Sequence, residues 1–419
     1  MRISKTFLII FSLLFTNVPA QATELPAEFN FQGTGYGHGV GLSQIGARGK
    51  AQNGEEAHSI LSYYYSGTQI LSLTDNQNIR VNIGHLLTQA TLKSGTKDSV
   101  LNLYMGDLGE DSAAIPTVSL TSKSGISFVQ QGTSISAFVI AGKNSQLVGT
   151  NSTWSVRWSG TRYLDGVAST VSLKVNSTSV KYRYGQIQIK SVKAPVIGHR
   201  MEVTNTLRIH DEYLYGISEV PSSWPTQALI AQAIASRSYA LSKLGIPKTA
   251  CDCNLYNNIS DQSFAGFSKE IEPLYGKLWK AAVQASATSE STGEVITVNG
   301  SPITAFFTSS SGGQTETSVN AWGKERSFTV SVADSFSQDP TLNPRYFTWS
   351  RAISQQVLAK AFLLNDVVTL SIDSRNSTGT VATITAIASD GKTSTLRGET
   401  FRSRTALPSA WFNLVSVQN

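Results

Sequence analysis

Glycine occupies every second position from Gly33 to Gly41, in the run Gly33-Thr34-Gly35-Tyr36-Gly37-His38-Gly39-Val40-Gly41. That density permits backbone conformations and a close approach of ligand that other residues forbid. A histidine held in such a loop sits where it does for a reason. Two readings of His38 stay open: a hydrogen bond inside the loop, or a contact with substrate. Tyr36 and Gln44 share that ambiguity. Beyond the loop, Leu42 to Asn53 reads as a short helix stopped by Gly54. Glu55 to Tyr65 reads as a second, with Ile60, Leu61 and Tyr64 on one face.

A chain of 419 residues exceeds one ordinary core, so two or three compact units are expected. Arg2 and Lys5 precede the apolar run Phe7 to Phe15, and Ala20-Gln21-Ala22 supplies small residues for cleavage. This is the pattern of an export signal over residues 1–22, too short to span a membrane. No later segment approaches the ~20 apolar residues a span needs. The expected location is secreted and extracytoplasmic, with the protein held at the cell wall by its ligand. The leader carries two bases and no acids, so the formal net charge of +6 becomes +6 − 2 = +4 without it, a mild excess that suits a polyanionic envelope. Nucleic acid is disfavoured, because no stretch interleaves Lys or Arg with aromatics.

From about Asn78 to Ile197, short alternating runs such as Ile79 to Ile83, Ser134 to Ile140 and Thr170 to Val175 are separated by Gly, Ser and Asn clusters. This is a β-rich unit whose Trp154, Trp158 and Tyr163 read as core filling rather than sugar platforms. Residues 198–325 mix helix and strand. A helix is expected over Glu270 to Glu290, with Leu274, Leu278, Ala282 and Val283 facing the core. A hairpin is expected over Val295 to Phe307, through Asn299-Gly300. Residues 326–419 read as a further mixed unit, with a helix near Ala352 to Leu364 and strands at Val367 to Ile372 and Val381 to Ala388. The fold class is α+β: a β-rich multi-domain protein with a mixed helix and strand catalytic domain.

The chemistry concentrates at Glu219-Val220-Pro221-Ser222-Ser223-Trp224-Pro225, which precedes the largely uncharged helix Thr226 to Arg237. Ser222 or Ser223 can cap that helix, with Pro225 in its first turn. Ile230, Ile234 and Leu241 form its buried stripe. The positive end of the helix favours an ionised Glu219, whereas burial beside Tyr215, Val220 and Trp224 favours the protonated form. Desolvation is expected to win, which makes Glu219 a general acid rather than a capping carboxylate. The nearest acids in sequence, Asp211 and Glu212, read as exposed turn residues.

Three separated blocks resemble the SpoIID/LytB family, named for a stage II sporulation protein and an amidase enhancer. One runs from Tyr213 to Pro221 with Ser223-Trp224-Pro225 and Ala231 to Leu241. Another is Phe306 to Glu316 with Ala321-Trp322-Gly323. The third is Gly35 to Ala47, continuing to Thr68. With a weaker match over 326–412, the resemblance covers roughly two-thirds of the chain beyond the leader. In the family's commonest arrangement the His-Gly-Val-Gly block closes the domain. Here it opens it, which looks like a circular permutation. Residues 30–70 would then complete the catalytic domain, and 78–197 would be an inserted one. The geometric consequence is that Trp411 and Phe412 lie near Phe29 to Gly33, with His38 facing the Glu219 turn.

The resemblance implies a peptidoglycan lytic transglycosylase with Glu219 as catalytic acid, or a non-catalytic protein that stimulates a cell-wall amidase. The partners implied are peptidoglycan glycan strands and such an amidase. It also places Arg237 in the site, although a helical rise of 1.5 Å per residue carries Arg237 roughly 20 Å from the helix start. Ser309, Ser310, Ser311, Gly312 and Gly313 would offer hydroxyls and backbone N–H groups to sugar. No cofactor is required. Cys251 and Cys253 fall where some relatives hold zinc, with different spacing; a metal site and a disulfide both stay open.

Overall fold

The computed structural model describes residues 25–110, 113–121, 123–245 and 247–418. The leader read over 1–22 lies outside the described residues. Strand outweighs helix, and several sheets share the chain, which makes the protein α+β and β-rich. Among the described residues no helix is long and apolar enough to cross a membrane.

The alternating runs of the β-rich unit build two sheets, antiparallel except for one short edge strand of the larger. A six-stranded sheet contains Gln89–Ser94, Gly125–Gln131 and Ser134–Ala141. A seven-stranded sheet has Asn78–Leu87, Gly198–Arg208, Gln186–Ala194 and Thr153–Trp158 as consecutive neighbours. Their inward residues, among them Leu92, Phe128, Trp154 and Trp158, join one apolar cluster, as expected for strands presenting alternate side chains to a core. The unit does not stop at residue 197. Gly198–Arg208 is an interior strand of the larger sheet, and the cluster runs on through Leu229, Ala233 and Trp279. The β-rich and helical parts therefore share a core instead of meeting across a linker.

The helix Thr226–Ser242 is the hub. Its alanines let neighbours approach on every side, so the expected stripe is replaced by burial from Ala228 to Leu241 at every residue but Ile230, which is half-buried. Its neighbours are the helices Gln44–Gln52, Ala57–Tyr64 and Gly276–Ala285 and the strand Thr292–Val298. Pro225 stands at its N-terminal boundary with no side-chain cap, and the Ser222 hydroxyl donates to Glu272 instead (2.6 Å). Gly276–Ala285 begins later than expected. Leu274 and Leu278 consequently stay exposed (81% and 39%), and Trp279 joins Ala282 and Val283 in the core. Asn299 and Gly300 do adopt the left-handed turn, but the returning strand is only Ser301–Pro302. Pro302 has no N–H to extend a ladder, and Thr292–Val298 pairs mainly with Gln69–Thr74.

The two ends of the described chain meet in one sheet. Glu28–Gly33 lies between Trp349–Ser354 and Phe412–Gln418, with Gly33 opposite Phe412 and Phe31 edge-on to Phe412 at 5.5 Å. The adjacency required by the permuted block order is present.

Candidate active site

The glycine-rich loop and the segment after Ala305 run side by side. Leu42-Ser43 pairs with Phe307-Thr308, Tyr36 exchanges backbone hydrogen bonds with Ser310, and Val40 bridges Glu316. This contact is what requires the glycines. Gly37 and Gly41 have φ of +112° and +78°, and a Cβ on either would collide with the Thr308 hydroxyl or the Phe306 carbonyl. The paired loops form one wall of a cleft of about 690 Å³. The Glu219 turn and the hub helix supply its floor, and Gly398–Thr405 supplies the far side.

Glu219 is half-buried in this floor. The turn is fixed by Ser218 N–H donating to the Ser263 carbonyl (2.9 Å) and Ala265 N–H donating to the Gly216 carbonyl (2.8 Å). The carboxylate accepts one backbone hydrogen bond, from Ser263 N–H at 2.5 Å, and has no ion-pair partner among the described residues. Loss of water raises its pKa to about 7, and the Ser263 bond opposes this only in part. It does not cap the hub helix. Desolvation prevails over the helix end, as expected.

Tyr36, His38 and Gln44 all reach the cleft, as does Ser309. Tyr36 is 45% exposed and stacked on Tyr346, centroids 4.3 Å apart. His38 makes the loop hydrogen bond of its first reading and also lines the cleft. Its Nδ1 accepts from Val40 N–H (3.0 Å) inside the loop, and its ring lies edge-on to Trp322 at 5.0 Å within the cleft. Burial, aided by the Arg402 charge, pushes its pKa down to about 3, so it is neutral at working pH. Gln44 Nε2 donates to Gln232 on the hub helix (3.2 Å).

Other expected site residues lie elsewhere. Arg237 is fully buried on the far side of the hub helix, with Nε 2.7 Å from Asp75 and Nη1 donating to the Ser286 carbonyl and hydroxyl. Helical rise decided that outcome. Ser310 and Ser311 are buried; the Ser311 hydroxyl donates to Asp334 at 2.6 Å. Gly312 and Gly313 pack against Thr34 and Gln338 rather than facing the cleft. Cys251 and Cys253 form a disulfide, which leaves no thiolate for the zinc considered above; among the described residues no group of three or more His, Cys, Asp or Glu is arranged for a metal. Asp211 and Glu212 are not exposed turn acids. Glu212 is 6% exposed and accepts from Arg162 (3.2 Å) and Arg208 N–H (2.8 Å), while Asp211 pairs with Arg208.

The residues that sequence reasoning missed come from distant segments. Trp322, 40% exposed, packs on Phe306 at 4.8 Å and offers an aromatic face to the cleft. Arg402 lines the far side and is held by Glu399 through two hydrogen bonds of 2.6 and 2.8 Å. Asp261 is a second carboxylate in the cleft, but its oxygens are engaged by Tyr239 OH (3.0 Å), Tyr256 N–H (2.8 Å) and Lys248. Trp322 stands in the Ala321-Trp322-Gly323 part of a resembling block without being read as a site residue; Arg402 and Asp261 share with it only their position in space.

Residues 198–297 match the family described as SpoIID, stage II sporulation protein. Over 141 residues the chain is 30% identical to the amidase enhancer of Bacillus subtilis (strain 168), covering 34% of this chain and 16% of that one. Over 215 residues it is 25% identical to stage II sporulation protein D of the same strain, covering 48% and 59%. The chain thus spans less than two-thirds of either relative. No solved structure matches it.

Proposed function

We propose that this chain, which matches the SpoIID family over residues 198–297, is an exported peptidoglycan lytic transglycosylase with Glu219 as both acid and base. The observation that carries this reading is a cleft carboxyl that is desolvated, unpaired and poised to hold its proton near neutrality. Glu219 protonates the glycosidic oxygen between N-acetylmuramic acid and N-acetylglucosamine. As a carboxylate it then takes the proton of the muramic C6 hydroxyl, whose oxygen attacks C1 and closes a 1,6-anhydro ring. One carboxyl serves both steps, and neither step needs a metal. A hydrolase ordinarily needs a second free carboxylate, and the oxygens of Asp261 are already engaged. Neutral His38, Gln44 and Ser309 would hydrogen-bond the glycan, with Tyr36 and Trp322 against its sugar faces.

Incubation of the purified protein with sacculi, intact and stripped of stem peptides, should release fragments ending in anhydro-muramic acid, and Glu219→Gln should release none. Full activity in that variant would end the assignment. Reducing muramic ends would indicate a hydrolase. The similarity to a protein named amidase enhancer favours a second reading, in which the same cleft binds glycan without cutting it. That reading predicts freed stem peptides alone, and only when an amidase is added.

A further inference from the structure

Besides the chain that runs on from Gly198–Arg208, an arm of residues 248–264 leads from the β-rich unit to Glu219. At its root the Cys251–Cys253 disulfide closes a short loop, with Lys248 N–H donating to the Cys253 carbonyl (2.7 Å). Asp252, at the tip of that loop, pairs with Arg80 (2.5 Å) and Lys190 (3.2 Å), both on strands of the seven-stranded sheet. Asn254 N–H donates to the Arg80 carbonyl, its side-chain oxygen accepts from Arg80 N–H, and Leu255-Tyr256 joins Val81-Asn82 as a parallel edge.

The arm then turns and delivers three successive residues beneath the cleft. Asp261 holds the Tyr239 hydroxyl and Lys248. Gln262 accepts from the Tyr213 hydroxyl (2.6 Å). Ser263 N–H donates to Glu219 (2.5 Å). Tyr213 and Tyr239 are also the phenols that feel the Glu219 charge. One short segment thus ties the proposed acid and both tyrosines beside it to a sheet that contributes no residue to the cleft.

We infer that Asp261 to Ser263 is the positioning element for Glu219, that Asp261 is its anchoring residue, and that the β-rich unit serves the reaction by holding this arm through the disulfide loop. Asp261 acts through the Ser263 N–H and is not itself catalytic. The inference rests on the reading of Glu219 as the acid, but the position it describes can be measured without turnover. A hydrogen bond to the ionised carboxylate favours ionisation, so slackening the arm should move the Glu219 titration upward.

Two variants slacken it without changing net charge: Asp261→Asn with Lys248→Met, and Cys251→Ala with Cys253→Ala. The other titratable or charged groups around Glu219 stay unaltered in both: Tyr213, Tyr239 on the hub helix, Lys269 and Glu272 beyond Val220, and His38, Glu399 and Arg402 across the cleft. The carbon-13 titration of the Glu219 carboxyl, identified by its loss in Glu219→Gln, reads the effect in the full chain, with near-ultraviolet circular dichroism reporting the fold. From about 7 the midpoint should rise by roughly one pH unit, the size expected for one lost charge-assisted hydrogen bond. The alkaline limb of kcat/KM should move with it. An unchanged or lowered midpoint in whichever variant folds overturns the inference. Full activity of Glu219→Gln removes the catalytic reading alone, because the midpoint shift still tests the positioning.

Discussion

Asp75 and Glu219 flank the same helix and are handled in opposite ways. Asp75 is fully buried, yet Arg237 Nε stands 2.7 Å from one of its oxygens and His210 Nδ1 2.7 Å from the other. Glu219 is less deeply placed, opens on a cleft and receives one backbone N–H. Burial with a counter-charge yields a fixed joint between segments; burial without one yields an acid that keeps its proton to about pH 7. Glu219 and Arg237 belong to the same sequence block, and only their partners separate the proposed acid from a structural residue.

The strongest way to break this contrast is to neutralise each acid site in turn. Glu219→Gln should lower muropeptide release by about 10²–10⁴-fold, the usual weight of a general acid, while leaving the melting temperature unchanged or higher, because a neutral isostere relieves a desolvated carboxyl. Arg237→Met should do the reverse. It takes the permanent cation from buried Asp75, leaving only His210 beside it, and should cost about 3–5 kcal/mol in denaturant unfolding, with the folded fraction as active as the parent.

A smaller effect follows from pH. The folded-state pKa of Glu219 is raised, so its contribution to stability is complete below the ordinary glutamate range and is lost as pH rises through about 7. The rate should fall over the same alkaline limb, measured as kcat/KM against pH. Removing the Asp75–Arg237 pair should not move that limb. The least effect belongs to the cleft's aromatic rim. Trp322→Ala should raise KM by about fivefold, near 1 kcal/mol of ring contact, with kcat little changed; a fall in kcat alone would place Trp322 nearer the chemistry than its rim position suggests.

Much of the fold was legible because its signals are local. Alternation located Ser134–Ala141 and Val171–Val175, and the aromatics Trp154 and Trp158 proved to be core. Local signals failed where neighbours intervened: Leu274 and Leu278 fit a helical face but lie outside the buried part of Gly276–Ala285, and residue 197 marked a change of composition that the sheet ignores. In the cleft, Tyr36, His38, Gln44, Ser309 and Glu219 were accessible to sequence reasoning, whereas Ser310 and Ser311 were indistinguishable from Ser309 until their hydroxyls could be placed. Asp261, Glu399 and Arg402 carry no pattern of their own.

The amino acids alone determined that position 219 would be a carboxyl on a tight turn beside apolar surface, and that a loop of alternating glycines could lie against another backbone. Both are consequences of covalent chemistry and short-range sterics. Only the tertiary structure decided which carboxyl stayed without a cation, which serine faced the cleft, and that the two cysteines closed a loop on the arm reaching Glu219. Those outcomes depend on contacts between segments far apart in the chain, and burial and pairing exist only once the segments have met.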